Sequence, residues 1–379
     1  MTWPKVKLGE VLRHRKEFIR IEDFSQYKRC RVQLHSRGVL LRDRVLGSEI
    51  KTKKQQVCKA GDFLVAEIDA KHGGYGMVPD DLDGAVVSSH YFLFENDATT
   101  LDGRYLGWFI RTPAFFEQVA AQGSTNYAAI RPGHVLEYDI PLPSLTEQRR
   151  LVARIDALAE KIDEVKQVAD ANLHRAQSFL EAVFREISES AHRQRLGDVS
   201  PLNRRPATMD FAAEYPQISV RSFGRGTFHN PPLKGSEITW EKPHRVEAGD
   251  ILISNIKAWE GAIAVVNPED AGRYGSHRYL TYVPVPGLVT ARYLCFYLLT
   301  PEGLFHVGEA SPGSADRNRT TSAKKFQEIP VPVPSFKCQV WFGKLYSLVL
   351  AARAKWEEAA IARDALLPAI LDKAFRGEL

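Results

Sequence analysis

Cysteine is scarce in this 379-residue sequence, and the four present, Cys30, Cys58, Cys295 and Cys338, are too dispersed to form a C-x-x-C pair. A zinc ribbon or a thioredoxin-type redox motif is thereby excluded, and reduced structural thiols are expected. No apolar run approaches the roughly 20 residues of a membrane span, and the opening MTWPKVKLGE carries charge where a secretion signal would be apolar. A cytoplasmic protein with no membrane association is expected. The phosphate-cradling G-x-x-x-x-G-K-[ST] is also missing, so ATP-driven translocation is not in this chain. A nuclease-like D/E-x-K can be drafted from Glu49-Ile50-Lys51 or Glu164-Val165-Lys166, but 46 acids and 20 lysines in 379 residues supply roughly two such matches by chance. No catalytic residue, metal ligand or cofactor is assigned.

One motif does look catalytic. Phe223 to Gly235 reads FGRGTFHNPPLKG, a glycine-rich turn followed by Asn-Pro-Pro, the two devices by which adenine-N6 methyltransferases hold a cofactor and a flipped adenine. Those devices belong at the ends of two strands tens of residues apart. Here Gly226 and Asn230 are four apart, and Leu233 stands where the base-stacking aromatic belongs. The stretch reads instead as a loop: Gly224 and Gly226 permit tight turns, Pro231 and Pro232 stiffen the exit, and Arg221, Arg225 and His229 could point at phosphates or bases.

What the chain does have is size, localised basic charge and repetition. With 44% hydrophobic and 26% charged residues over 379, it is ordinary for a globular protein and long enough for two or three domains. Residues 1–60 hold sixteen Lys and Arg against six Asp and Glu, about +10, which leaves about −5 on the rest of a chain of net charge +5. A polyanion would suit such a segment, as would a solvated Arg-rich surface.

Leu8-Gly9-Glu10-Val11 recurs as Leu196-Gly197-Asp198-Val199, Gly61-Asp62 as Gly249-Asp250, and Tyr105-Leu106 through Thr112-Pro113 as Tyr293-Leu294 through Thr300-Pro301, all at an offset of 188. Ser89-His90 returns as Ser276-His277, and Pro141-Leu-Pro-Ser144 with Gln148 as Pro332-Val-Pro-Ser335 with Gln339. Matches in one order argue for a duplicated unit of roughly 190 residues.

Each unit opens with short alternating runs such as DFLVAEID, HYFLF and DILISNI, punctuated by Gly, Pro and Asn, which predict a mixed α/β domain. A helix follows. Leu151, Ile155, Leu158, Ile162, Val165, Ala169, Asn172, Ala176, Phe179 and Val183 keep alternating steps of four and three, a coiled-coil seam with Asn172 as a polar register mark. The second copy runs Trp341, Leu345, Leu348, Ala352, Trp356, Ala359, Leu366 and Ile370, with Pro368 predicted to kink it. Neither helix can bury its seam alone, so antiparallel packing of the two is expected.

This layout, with IPLPSLTEQRRLVARIDAL opening the first helix and LLPAILDKAFRGEL closing the chain, resembles the specificity (S) subunit of type I restriction-modification systems over the whole chain. The second copy departs from the family pattern, with Lys337-Cys338-Gln339 where the first has Thr146-Glu147-Gln148. The resemblance implies an α+β (mixed α/β) chain of two target recognition domains, 1–143 and 193–334, separated by spacer helices, 144–192 and 335–379, with an internal pseudo-two-fold repeat. It implies a non-catalytic reader of double-stranded DNA, each domain reading one half of a bipartite, asymmetric site. Methyltransferase (M) subunits would dock on the helices, and a restriction/translocase (R) subunit would join through them. A related arrangement would pair the chain with a fused nuclease-methyltransferase.

The candidate DNA-binding residues are polar and aromatic side chains in Gly-rich loops. In the first domain they are Lys51, Lys53, Lys54, Gln55 and Gln56, then Lys71, His72 and Tyr75, then Ser124, Thr125, Asn126 and Tyr127 with Arg131. In the second they are Arg204 and Arg205, Arg221 and Arg225, Asn255, Lys257 and Trp259, His277 and Arg278, then Arg317, Asn318, Arg319, Lys324 and Lys325. Arg and Lys suit phosphates and guanine edges, Asn and Gln adenine edges. Tyr127 and Trp259 suit either a small core or a wedge between bases. The loops differ between domains, as Lys71-His72-Gly73 against Lys257-Ala258-Trp259 illustrates, so the two half-sites are expected to differ.

Overall fold

A computed structural model describes residues 3–121, 129–238, 243–313 and 319–379. The chain divides into two compact units, Met1–Ala169 with Glu357–Leu379, and Asp170–Trp356. Each unit takes one globular part together with a segment of both long helices.

In the first unit a two-stranded clasp pairs Lys5–Lys7 antiparallel with Asp139–Pro141 and brings the two ends of the globular part together. The second unit does the same with Arg193–Arg195 and Pro330–Pro332. The repeated Leu-Gly-acid-Val follows each clasp as a single helical turn whose leucine, Leu8 or Leu196, is fully buried.

The central strand of each unit explains its continuous apolar run. Phe63–Ala66 lies between Tyr91–Asn96 and Tyr75–Met77, and all four of its residues are buried. Phe63 and Val65 face a core built with the helices Gly103–Phe109 and Pro113–Ala120, whereas Leu64 and Ala66 face a second core under a five-stranded sheet. Ile251–Ser254 repeats the pattern, with Ile251 and Ile253 toward the helical core and Leu252 toward Ile218 and Val220. A strand covered on both faces needs no polar alternation. Phe115 anchors the first helical core, with ring centroids 5.1 to 6.1 Å from Tyr75, Phe63, Phe109 and Tyr138.

The Asp62 and Asp250 of the repeated Gly-Asp turn are buried and take Arg15 and Arg205 respectively as ion-pair partners. Removing either guanidinium would leave a buried carboxylate without its ion-pair partner.

Gln148 and Gln339 show why the Pro-x-Pro-Ser…Gln motif recurs. Both side chains are fully buried. Gln148 donates through Nε2 to the carbonyls of Thr100 and Pro143 (2.9 Å each) and accepts the Asp102 amide at 2.8 Å. Gln339 donates to Leu288 and Pro334 (3.0 and 2.9 Å) and accepts the Thr290 amide at 2.9 Å. Asp102 and Thr290 cap the next short helices, so one amide ties the start of each long helix to the globular part before it.

The first long helix spans Leu145–Glu189. Its inward positions include Leu151 and Val152, Ile155, Leu158, Ile162, Ala169, Leu173, Ala176, Leu180, Val183 as expected, Phe184 and Ile187, a stripe wider than a heptad seam and nearer the 3.6 period of a straight helix than the 3.5 of a heptad. The expected seam therefore drifts off the buried face. Val165 and Phe179 are exposed, and so is Asn172, whose Oδ1 accepts from Arg175 on the surface instead of marking a register inside. The second helix, Phe336–Asp364, turns in Gln339, Phe342, Tyr346, Val349 and Trp356, which leaves the expected Trp341 and Leu348 exposed. It breaks at Ala365 before the helix Leu366–Arg376. Pro368 lacks the N–H that would bond the Asp364 carbonyl, which accounts for the break.

Within the second unit, Phe184 meets Phe342 (5.5 Å), while Leu173 and Gln177 share a groove with Val349 and Arg353, so the segments run antiparallel. Phe184 also packs on Tyr293 at 5.1 Å. In the first unit Phe375 holds the matching place against Tyr105 at 5.0 Å, and Trp3 and Arg150 donate to the carbonyls of Ala374 and Leu379. Leu180-Glu-Ala-Val-Phe184-Arg and Leu371-Asp-Lys-Ala-Phe375-Arg are thus one repeated anchor. No described helix is long and apolar enough to cross a membrane.

Candidate nucleic-acid interface

The five-stranded sheet of each unit ends in a hairpin, Gln26–Gln33 with Gly38–Leu46 and Glu214–Val220 with Thr227–Lys234. Both tips place two successive residues in the left-handed region: His35 and Ser36 (φ 60° and 55°), and Phe223 and Gly224 (φ 62° and 63°). Three of the four are not glycine, so the tips hold strain of about 1–2 kcal/mol per residue. Backbone bonds keep them there. The amides of His35 and Ser36 donate to the carbonyls of His72 and Gly73 (2.7 and 2.9 Å), and those of Phe223 and Gly224 to Glu260 and Gly261 (2.7 and 2.9 Å). Gly73 must be glycine: its φ is 76°, and a Cβ would lie 2.6 Å from the Ser36 nitrogen.

FGRG is therefore a pinned hairpin tip, matched in the first unit by His35-Ser36-Arg37-Gly38. Asn230-Pro-Pro is not a loop exit. It lies in Thr227–Lys234, the edge strand of its sheet, where a missing N–H is tolerated. Asn230 donates to Ser219 at 2.8 Å, and His229 pairs with buried Asp270 at 2.7 Å. Burial would push the Asp270 carboxyl up, but the bonds from His229, the Asn267 amide and Thr227 outweigh it and hold it below its usual range.

Behind each tip lies a matched floor. The Glu67 amide donates to the His90 carbonyl (2.8 Å) and the Glu67 carbonyl accepts from the Ile130 amide (2.9 Å). Asn255 repeats both bonds, with Arg278 (2.8 Å) and Thr321 (2.7 Å). On this common frame the side chains differ. In the first unit the Glu67 carboxylate holds Arg131 Nη1 at 2.7 Å and His90 Nδ1 at 2.8 Å. In the second, Lys257 and Arg319 both lie over the Trp259 ring, 5.3 and 4.5 Å from its centroid, and Lys257 pairs with Glu260 at 2.7 Å. The pinned glycines also correct the alignment of the loops: Lys71-His72-Gly73 matches Trp259-Glu260-Gly261, not Lys257-Ala258-Trp259.

The structure gathers Asn255, Lys257, Trp259 and Arg319 around one floor, with Arg278 bonded to it and Arg225 on the adjoining tip. Trp259 is half-buried, its Nε1 donating to the Ile256 carbonyl at 3.0 Å. Arg221 bonds back to the Thr227 carbonyl and lies over Phe228. His277 is half-buried beside exposed Arg278, and Lys324 and Lys325 are exposed on the short helix Ala323–Gln327. In the first unit Lys71, His72 and Arg131 frame the floor.

Other expected residues serve the fold. Tyr75 is buried against Phe115 and cannot reach a ligand. Gln55 and Gln56 are buried in the strand Lys54–Val57, their amides committed to Thr52 and to Ser88 and Tyr91. Arg205 belongs to the Asp250 pair, with Arg204 exposed beside it. Lys53 is held by Asp23 and the Gly47 carbonyl, while Lys54 covers Phe18 and Lys51 is exposed. Ser124, Thr125, Asn126, Tyr127, Arg317 and Asn318 lie outside the described residues. Nor are the cysteines all apart: Cys30 and Cys58 meet at 3.6 Å in the core under the first hairpin.

Sequence reasoning passed over Glu67, His90, His35 and Arg37. Acids are not sought on a DNA face, and the hairpin tips match only when aligned by backbone conformation. It also treated the charge of the first 60 residues as a sum. Much of it sits on the hairpin, where Arg31, Arg37 and Arg44 are exposed and make no ion pair among the described residues.

Two repeated α+β units, each locked to a long helix by a buried glutamine, define a class of duplicated chain. It is the fold of type I restriction-modification specificity subunits. The chain is 26% identical over 191 residues to the type I restriction enzyme HindI specificity subunit of Haemophilus influenzae, a match spanning 48% of this chain and 40% of that protein. Its structure resembles one solved in work on complex assembly and conformational transition of the type I R-M system, with TM-score 0.71 and 22% identity over 100% of this chain and 98% of the other. It is also similar to the HsdS subunit from Thermoanaerobacter tengcongensis, with TM-score 0.59 and 22% identity over 100% and 97%. No family model matches the sequence.

Proposed function

We propose that this chain is the non-catalytic DNA-reading subunit of a type I restriction-modification complex, working in the cytoplasm. Each globular part reads one half of a bipartite, asymmetric site. The long helices set the gap and dock methyltransferase subunits, through which a restriction subunit joins. The observation that carries this reading is the pair of matched floors and tips, where one backbone frame bears Glu67, Lys71 and His35 in the first unit but Asn255, Trp259 and Phe223 in the second. A duplicated frame with exchanged side chains is what reading two different half-sites requires, since base edges discriminate through side-chain donors and acceptors. The hairpin arginines Arg31, Arg37 and Arg44, which make no ion pair among the described residues, supply attraction for phosphates.

The test is to co-express the chain with its neighbouring methyltransferase subunit and map N6-methyladenine across the host genome, with a strain lacking the chain as control. Methylation at one split motif that disappears in the control is expected. Methylation unchanged without the chain would refute the reading.

A further inference from the structure

We propose that Arg131 reads a guanine in one half-site and that Glu67, held together with His90, is the residue that positions it; this rests on the DNA-reading function proposed above. An exposed ion pair ordinarily contributes little, because two long side chains must be ordered in water. Glu67 is not placed that way. Its side chain is only 15% exposed, its backbone is bonded on both sides, and its carboxylate takes two partners, Arg131 at 2.7 Å and His90 at 2.8 Å. A fixed carboxylate therefore holds a guanidinium that is itself 64% exposed.

The bond uses one terminal nitrogen, Nη1. Arginine has five donors in a rigid fork, so the others stay available for the O6 and N7 acceptors of guanine, the commonest specific contact in the major groove. A side chain meant only for phosphates gains nothing from a carboxylate at its side, which phosphates repel. The carboxylate becomes useful when the fork must be aimed.

The second unit does not repeat the device. Thr321 makes the bond that Ile130 makes, so Ser322 occupies the position matching Arg131, each capping the short helix that follows; the nearby Arg319 lies flat on Trp259 at 4.5 Å and spends Nε and Nη2 on the carbonyls of Ser311 and Gly308 at 3.3 and 3.4 Å. Asn255 stands in place of Glu67. The dependence on Arg131 is therefore confined to one half-site.

The experiment uses the complete complex, formed in cells with Arg131→Ala, Arg131→Lys or Glu67→Gln chains, and reads the methylated motif by single-molecule sequencing. Arg131→Ala and Arg131→Lys are expected to relax one guanine of one half-site, raising modification of sites with another base there by about 10-fold relative to the parent motif. Glu67→Gln is expected to relax the same base and leave the other half-site intact, a pattern that a merely structural role would not produce. The intact half-site also reports that each variant folds and assembles. An unchanged motif, or a loss spread evenly over every base, overturns the assignment of Arg131. Relaxation by the Arg131 variants alone overturns the positioning role of Glu67. If the parent chain directs no split motif, the proposed function fails before this inference is reached.

Discussion

Burial against Thr281 drives the His244 imidazole from 6.5 down to about 4, and the neighbouring Arg204 and Arg205 add to the shift. Between those values only the unfolded chain takes up the proton, so stability is present above pH 6.5 and lost as pH falls toward 4. The slope is at most about 1.4 kcal/mol per pH unit. Urea midpoints should drop between pH 7 and pH 5, and His244→Asn should flatten that drop; an equal drop in the variant would mean that another group is responsible. At this scale the sequence was legible by residue type but not by exposure. Gln55, Tyr75 and Arg205 have the chemistry of DNA-facing residues, and each is held inward: Gln55 by the Thr52 carbonyl three residues back, Tyr75 and Arg205 by Phe115 and Asp250, which lie far along the chain.

A helix that must serve a domain needs its start fixed in direction as well as place, and one buried amide with three bonds does this in each unit. Truncation strands an amide and carbonyls without partners, so Gln148→Ala and Gln339→Ala should each cost about 2–4 kcal/mol. Chemical denaturation followed by circular dichroism would measure it, and losses below 1 kcal/mol would show that water replaces the amide. The helices themselves were legible as elements, because apolar residues recur over forty positions, but their inward faces were not. In the first helix, 3.5 and 3.6 residues per turn give the same seam for two turns and diverge after four, which is why Leu151 and Ile155 were placed correctly and Phe179 was not. In the second, adjacent Trp341 and Phe342 compete for one inward position, and Phe342 takes it because Phe184 and Phe296 complete its ring cluster at 5.5 and 4.9 Å.

Duplication was the most legible property of the whole molecule, since the Leu-Gly, Gly-Asp and Pro-x-Pro-Ser motifs it preserves are the clasps, ion-pair turns and helix locks that both units need. The surfaces it leaves free to differ were legible only as clusters, because a backbone frame has no sequence signature. Charge is equally uneven between the units. The first hairpin presents Arg31, Arg37 and Arg44 without acidic partners among the described residues, so replacing the two on its strands, Arg31 and Arg44, with Ala in the assembled complex should lower the slope of log affinity against log salt by about 2. The methylated motif should stay the same. Fluorescence anisotropy across a salt series would measure the slope, and an altered motif would mean that the hairpin reads bases. The tips carry a last consequence. They are pinned through main-chain atoms alone, and the side chains at 35, 37, 223 and 225 take no part in the pins. Those positions form a socket open to substitution: a library randomised there, with proline and β-branched residues kept out of 35 and 223 where the backbone is left-handed and the amide makes the pin, should fold nearly as often as the parent, and new target preferences are expected from it without rebuilding the frame beneath.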